Sequence, residues 1–251
     1  MPSALPALRA VTHRAHVPMG VYNLRPVAST SLPGLGVYRS SLLWGATGAD
    51  RRRLRTLGIR LVIDLRTQKV SDNFPDPTFD GVRHALVDLH GTGEAVTGER
   101  VTEADTIAAM EARYRRMVTD GGQRERIAQV LRMIADEPGA VLFHCTDGKD
   151  RTGWIALLLQ HIHGDSPAQI RADYLASQPL VQHMADFRWR TDLLTGGRAK
   201  AERNRPMNVV DSRFLDAGLD ELTTQYGDLD GYIAGGLGLD DATLTKLRAK
   251  L

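Results

Sequence analysis

The stretch AVLFHCTDGKDRTGWIALLLQHIH, residues 140–163, constrains the fold more than any other part of this 251-residue chain. Its opening, AVLFH, is short and almost wholly apolar, the pattern of a strand buried on both faces. Its end, TGWIALLLQHIH, is apolar nearly all round, the pattern of a helix enclosed in a core rather than laid on a surface. The residues from Cys145 to Asp150 join the two. A strand covered on both sides needs helices above and below it, so the stretch demands a layered α/β architecture.

The rest of the chain agrees. RRRLRTLGIRLVIDLRT puts Leu54 and Leu57 at helical spacing, then Gly58 as terminator, then a β-branched run from Ile59 to Leu65. GVRHALVDL reads as a further strand. TEADTIAAMEARYRRMV reads as a helix capped at Thr102, with Ile107, Met110, Tyr114 and Met117 on one face. QRERIAQVLRMIADE follows as a helix, ended by Pro138-Gly139. Gly164 stops the apolar helix, and Ser166-Pro167 opens another over AQIRADYLAS. Two last helices are expected at SRFLDAGLDELTTQYG and DDATLTKLRAKL, the second capped by Asp240 or Asp241. Helices that alternate with apolar strands give an α/β fold with a mainly parallel central sheet flanked by helices. The first 50 residues are rich in Pro, Gly, Ser and Thr and predict irregular structure with short strands. Without repeats or a linker in the second half, residues 1–251 are expected to form one domain, with residues 1–20 as an irregular extension.

Composition excludes several classes. With 32 basic against 30 acidic side chains the net charge is +2, so no global field favours nucleic acid. One cysteine rules out an intrachain disulfide and a Cys-rich zinc site. MPSALPALRAVTHRAHVPMG lacks a basic cluster followed by an apolar run, so no secretory signal is expected and the cytoplasm is the default location. The run WIALLL is far shorter than the roughly 20 residues a membrane helix needs, so no membrane insertion is expected.

A lone cysteine is more often a small buried hydrophobe than a reagent. The flanks of Cys145 overturn that prior. It sits at the carboxyl end of a strand, where open α/β sheets put their sites. Cys145 and Arg151 form a Cys-x5-Arg pattern. A turn that short points several N–H groups inward, and the following helix adds about half a positive charge. Both lower a thiol pKa toward a thiolate at neutral pH. Gly148 permits a positive φ and a close approach to an oxyanion. Arg151 has the planar fork that grips two phosphate oxygens, and Thr152 is placed to hydrogen-bond the sulfur. The set predicts phosphomonoester hydrolysis through a phosphocysteine, with Cys145 as nucleophile, Arg151 as clamp and residues 146–152 (Thr146, Asp147, Gly148, Lys149, Asp150, Arg151, Thr152) around the phosphate. No metal or cofactor is called for. An NTPase phosphate loop fails, because G-x-x-x-x-G-K would need Gly at Phe143 and Ser or Thr at Asp150.

HCTDGKDRTG resembles the signature of the Cys-dependent protein tyrosine phosphatase superfamily, and its Lys149-Asp150 pair resembles the bacterial atypical tyrosine/lipid phosphatases. NLRPVA, VYRSS, LGIRLVIDLRT, IRADYLAS and YGDLDGYIAGGLGLDDATLTKLRAKL match that branch in order, over residues 20–251. One departure is Pro26-Val27 after Arg25, where related sequences tend to carry a pair of glycines. The resemblance implies a tyrosine phosphatase-like fold and activity on phosphotyrosine, phosphoserine or phosphothreonine, or phosphoinositides. It implies Asp150 as the general acid and a helical lid over residues 178–206, which otherwise read as an ordinary surface helix. Export from the cell without a visible signal also follows from it.

Asp64, at the strand end of VIDLR, is the second candidate acid, or else a structural carboxylate for Arg66 or the loop amides. Asp147 reads as a solvated loop residue, FPDP (74–77) as a plain turn and His144 as a loop-orienting residue. His161 and His163 read as solvated groups near a helix end. Lys149 favours a polyanionic head group, its alternative being general attraction of any phosphate. The competing function is a catalytically silent phosphate-binding module, against which the intact Cys145, Arg151 and Thr152 argue. Nothing in the sequence fixes the oligomeric state.

Overall fold

The computed structural model describes residues 20–28, 34–89 and 101–251. The expected extension over residues 1–20 lies, save Gly20, outside the described residues. Five strands form one sheet: β1 (Arg25–Pro26), β2 (Val37–Ser40), β3 (Ile59–Asp64), β4 (Arg83–Leu86) and β5 (Ala140–His144), in the order β1-β2-β5-β3-β4. Only the β1–β2 pair is antiparallel; the others are parallel. The wholly apolar strand AVLFH therefore lies in the middle of the sheet. Register sets Ser40 and Asp64 on either side of His144, so the next residue, Cys145, emerges at the carboxyl edge between two neighbouring strands.

Side-chain alternation divides the strands between two cores. Val141 and Phe143 of β5 join the large cluster that also takes Leu61 and Ile63, while Ala140 and Leu142 join a smaller cluster with Val62 and Leu54. Ile59 belongs to the smaller cluster although Leu61, two residues on, faces the larger. A register shift between them leaves Arg60 as an extra, exposed residue, and one inserted residue turns the following side chains to the other face.

Helix α1 (Gly48–Thr56) is opened by a Thr47–Asp50 capping box and followed by Gly58 at φ +68°, a left-handed turn that only glycine adopts without strain. The short α2 (Gln68–Asn73) links β3 to β4. Helix α3 (Glu103–Thr119) starts at Thr102 as expected and buries Met110, Tyr114 and Met117; α4 (Gly121–Asp136) buries Ile127, Val130, Leu131 and Ile134. The apolar α5 (Arg151–His163) buries ten of its residues, among them Trp154, Ile155 and Leu157 to Leu159. Each such large side chain contributes about 1.5–3 kcal/mol on burial, which fixes where α5 begins.

Helix α6 (Pro167–Asn208) has the expected Ser166 cap but does not stop after AQIRADYLAS. It runs through Pro179, because buried residues on both sides, Ser177, Val181 and Met184, outweigh the loss of one N–H bond, and breaks its dihedrals only at Gly197 (φ 71°, ψ −174°). Helix α7 (Ser212–Tyr226), a π-helical turn over Tyr232–Gly236 and α8 (Asp241–Lys250), capped by Asp240, complete the chain. Among the described residues no helix is long and apolar enough to cross a membrane.

Candidate active site

The loop from Cys145 to Asp150 is shaped by what grips its carbonyl groups. The Leu42 amide donates to the Thr146 carbonyl at 3.0 Å. Asn23 Nδ2 donates to the carbonyls of Asp147 and Gly148 at 3.1 and 2.9 Å, and Arg39 Nη2 to that of Gly148 at 2.7 Å. In planar trans peptides the N–H opposes the C=O, so pulling these carbonyls outward turns the next amides inward. Among the described residues no N–H from Thr146 to Asp150 has another acceptor. Gly148 makes this turn possible: it sits at φ +69°, and a Cβ there would lie 2.3 Å from the Ser40 carbonyl oxygen. Any side chain would push the loop off β2. The result is a cradle of unpaired amides opened toward the N-terminus of α5, a place built to hold an oxyanion.

Cys145 lies at the floor of the cradle, 2 % exposed. Burial pushes its thiol up, but the Arg151 guanidinium and the hydroxyl and amide of Thr152 prevail, even against Asp150, and hold it below the ordinary thiol range. The Thr152 hydroxyl is itself buried and has no aligned partner among the described residues, so a charged sulfur is the acceptor it can serve. Arg151 stands at the rim, with Nη1 donating to the Leu65 carbonyl at 3.0 Å and Nη2 3.5 Å from Thr146 Oγ1. Neither partner is charged, so its positive charge is left for a ligand.

Behind the cradle, on the sheet side, lies a closed ionic set. Both oxygens of Asp64 accept from Arg66, at 2.8 Å from Nε and 2.7 Å from Nη2. Burial raises the Asp64 pKa, but the Arg66 hydrogen bonds and the charges of His144 and Arg66 outweigh it, so the carboxyl ends below its usual range. In this geometry Asp64 anchors the Arg66 side chain. Asp76, from the FPDP segment, accepts from Arg66 Nη2 at 3.0 Å, from the Leu43 amide at 3.2 Å and from His144 Nε2 at 2.8 Å. FPDP is thus a junction between three elements and not a plain turn. His144 Nδ1 lies 3.1 Å from the Cys145 carbonyl. Both of its partners only accept, so the ring bonds both as imidazolium. Burial pushes its pKa down, yet Asp76 and Asp64 carry it above the usual value. Ligand atoms of Asp64, Asp76 and His144 fall within 4.8 Å of one another, but the Arg66 guanidinium already neutralises these carboxylates, and the trio does not suit a metal ion.

On the helical side the residues are more open. Asp150 accepts from the Tyr114 hydroxyl at 2.9 Å and from Lys149 Nζ at 2.7 Å. Lys149 is buried, so its ammonium turns inward to Asp150 and not outward to solvent. Asp147 is no solvated loop residue: it is buried under α6, where both nitrogens of the Arg188 fork donate to it at 2.7 Å and Tyr22 adds a third bond at 2.7 Å. Burial raises its pKa, but Arg188 prevails and brings it to about 2. His183 of α6 packs edge-on against Tyr22, with centroids 4.8 Å apart. His161 and His163 stand away from the loop, bonded to Asp230 and Asp165. The sequence singled out the loop but not Tyr22, Asn23, Asp76, Tyr114 or Arg188. Asn23 was within reach, as the first residue of the NLRPVA match; Arg25 beside it bonds Asp173 and Ser177 of α6.

A cradle of free amides at a strand end, facing a helix N-terminus and an arginine, defines a phosphate-handling protein. The chain belongs to the tyrosine phosphatase family: the model of that family matches residues 23–251. It is 31 % identical over 233 residues to a tyrosine-protein phosphatase of Nostoc commune, covering 89 % of this chain and 76 % of that one. It is 32 % identical over 213 residues to a putative tyrosine-protein phosphatase of Cupriavidus necator, covering 83 % and 76 %. It is 28 % identical over 272 residues to the triple specificity protein phosphatase PtpB of Mycobacterium tuberculosis, covering 92 % and 97 %. Membership of this family makes the chain a phosphatase.

Proposed function

We propose that this chain hydrolyses phosphomonoesters by a two-step cysteine mechanism, acting on phosphotyrosine in proteins and also on phosphoserine or phosphothreonine and phosphoinositides. One observation carries the reading: the buried Cys145 thiol is held below its ordinary range at the floor of a cradle of unpaired amides, faced by Arg151. In the first step the Cys145 thiolate attacks phosphorus. The S–P bond forms, the bond to the leaving oxygen breaks, and Asp150, which enters this step as the protonated carboxyl, gives that oxygen its proton and is left as carboxylate. The loop amides and Arg151 hold the three remaining oxygens as charge shifts among them. In the second step Asp150 takes a proton from water, the water oxygen attacks phosphorus, and the sulfur leaves as thiolate, stabilised by the Thr152 hydroxyl. Asp64 anchors Arg66 and takes no part in proton transfer.

Residues 1–251 are taken as one domain, a reading supported by a single cluster of buried residues that, among the described residues, runs from Val27 to Leu251. Residues 178–206 serve as a lid, latched to the loop through Arg188 and Asp147. A lid of this kind shields a low-pKa thiolate from oxidation. The breadth of substrates is supported by the name of the mycobacterial relative, a triple specificity phosphatase. The test is kcat/KM on a phosphotyrosine peptide, a phosphothreonine peptide and a soluble phosphoinositide in the presence of a chelator. Turnover by the native chain and none by Cys145→Ser is expected. Equal turnover by the two proteins overturns the mechanism.

A further inference from the structure

The two faces of the sheet are not covered alike. The larger cluster draws buried side chains from α3, α4, α5, α6, α7 and α8. The smaller one, on the other face, takes its only buried helical residue among the described residues from α1, Leu54. Beside Leu54 this thinner side holds a cavity of about 450 Å³, within the range of small-molecule pockets, about 300–1,000 Å³. Its inner wall is apolar. Leu54, Val62 of β3 and Leu142 of β5 line it and are almost fully buried, and Phe79 and Val82 come from the segment just before β4.

The rim is cationic. Arg51 and Arg55 stand one turn apart on α1, and Arg60 is the extra residue of the β3 bulge. Its stem lies over Gly139, where a Cβ would come 2.4 Å from Arg60 Cγ, and its Nη1 reaches Gly81, where a Cβ would lie 3.2 Å away. Arg51 Cζ is 5.6 Å from the centre of the Phe79 ring, a cation–π distance. None of the three forms an ion pair or a side-chain hydrogen bond among the described residues. Asp80, the one acid lining the cavity, pairs with none of them, so three arginines against one aspartate leave an excess of two positive charges. Guanidinium groups without carboxylate partners, gathered around an apolar hollow, suit a ligand that carries both characters in one small body.

We propose that this cavity is a second ligand site, separate from the Cys145 loop, which takes a small amphipathic anion. A carboxylate or sulfonate head meets Arg55 and Arg60, and an aryl or short acyl body packs against Phe79, Val62 and Leu142. A phosphorylated sugar fits poorly, because its hydroxyls would face inner side chains that neither donate nor accept hydrogen bonds. The site stands apart from the proposed chemistry. Val62 and Leu142 belong to the face opposite Phe143 and α5, and no residue of the loop lines the cavity. Binding here therefore does not depend on turnover at Cys145.

The test is fluorescence titration of the native chain with anilinonaphthalene sulfonate, beside phenylnaphthylamine, which lacks only the sulfonate. One saturable site is expected, with the sulfonate bound about tenfold or more tighter than the neutral probe, the size of one charge-assisted contact. Excess orthovanadate, a phosphate mimic aimed at the Cys145 loop, is expected to leave the probe in place. The double variant Arg55→Gln/Arg60→Gln changes two exposed side chains and is expected to weaken the sulfonate about tenfold while hardly touching the neutral probe. Arg52→Gln, exposed on α1 but outside the cavity, changes neither, and Val82→Trp fills the cavity and removes both. Competition by decanoate or by naphthoate then tells an acyl from an aryl body. No saturable binding, equal affinity for the two probes, displacement by orthovanadate, sulfonate binding that survives the double variant, or displacement by neither competitor overturns the site.

Discussion

On the sheet side of the loop, two carboxylates, a guanidinium and an imidazole close on one another, with Asp64, Arg66 and His144 almost fully out of water. On the helical side the same kinds of group are left partly open: the Asp150 side chain is 16 % exposed, and among the described residues Arg151 donates only to the neutral Leu65 carbonyl and Thr146 hydroxyl. The closed set is rigid because each member is held by at least two others, and its task is to fix the strand end from which Cys145 projects. The open set is where charge can change during a reaction. On the proposed mechanism, holding position and doing chemistry are thus divided between the two flanks of one loop.

Substitutions that separate stability from rate test this division. The largest effect in rate is expected from Arg151→Lys, which keeps the charge and loses the fork: kcat/KM falls by about 10²–10³-fold while the melting temperature hardly moves. Asp76→Asn attacks the other flank. It leaves Arg66 and His144 short of one buried charge, so stability drops by about 3 kcal/mol in urea unfolding, with a smaller loss of kcat. Asp150→Asn returns to the open flank and lowers kcat by about 10²-fold on alkyl phosphates, but less on p-nitrophenyl phosphate, whose leaving group needs little protonation. If Asp150→Asn costs more stability than rate, or Asp76→Asn more rate than stability, the division is wrong.

The smallest effect concerns the latch. Asp147 has its pKa depressed to about 2 from an ordinary 3.8. A depressed carboxyl contributes stability above its unfolded pKa and loses it as pH falls through the folded one. The ionised Asp147 side chain, held by Arg188 with help from Lys149 and Tyr22, therefore contributes about 2 kcal/mol at neutral pH, and that share disappears between about pH 4 and about pH 2. In Arg188→Ala the neutral-pH stability is lower by about that amount, and the acid-side slope flattens over the same interval. An unchanged slope would mean that Lys149 and Tyr22, and not Arg188, hold Asp147 ionised.

Much of the fold was legible because its signals are local. AVLFH and IRLVID are apolar enough to be central strands, α3 and α6 announce themselves by Thr102 and Ser166, and the all-apolar α5 can only be internal. The bulge at Arg60 and the passage of α6 through Pro179 were not legible, since both are settled by what packs against them. The site divides the same way. Cys145, Gly148, Arg151 and Thr152 are contiguous, so spacing alone brought them together. Their supports come from far along the chain, with Tyr22 separated from Asp147 by 125 residues, Asp76 from His144 by 68, Arg188 from Asp147 by 41 and Tyr114 from Asp150 by 36. Only the folded sheet and its helices make them neighbours. Asp147 misled for a related reason: short charged loops are usually solvated, and here Arg188 of α6 covers this one.

The most direct measurement is rapid-quench mass spectrometry of the Asp150→Asn protein mixed with p-nitrophenyl phosphate. That variant keeps a good leaving group for the first step and lacks the base for the second, so the account predicts a phosphoryl group accumulating on the Cys145 peptide within one turnover. Continued turnover with no phosphoryl group on Cys145 at any time point would contradict it.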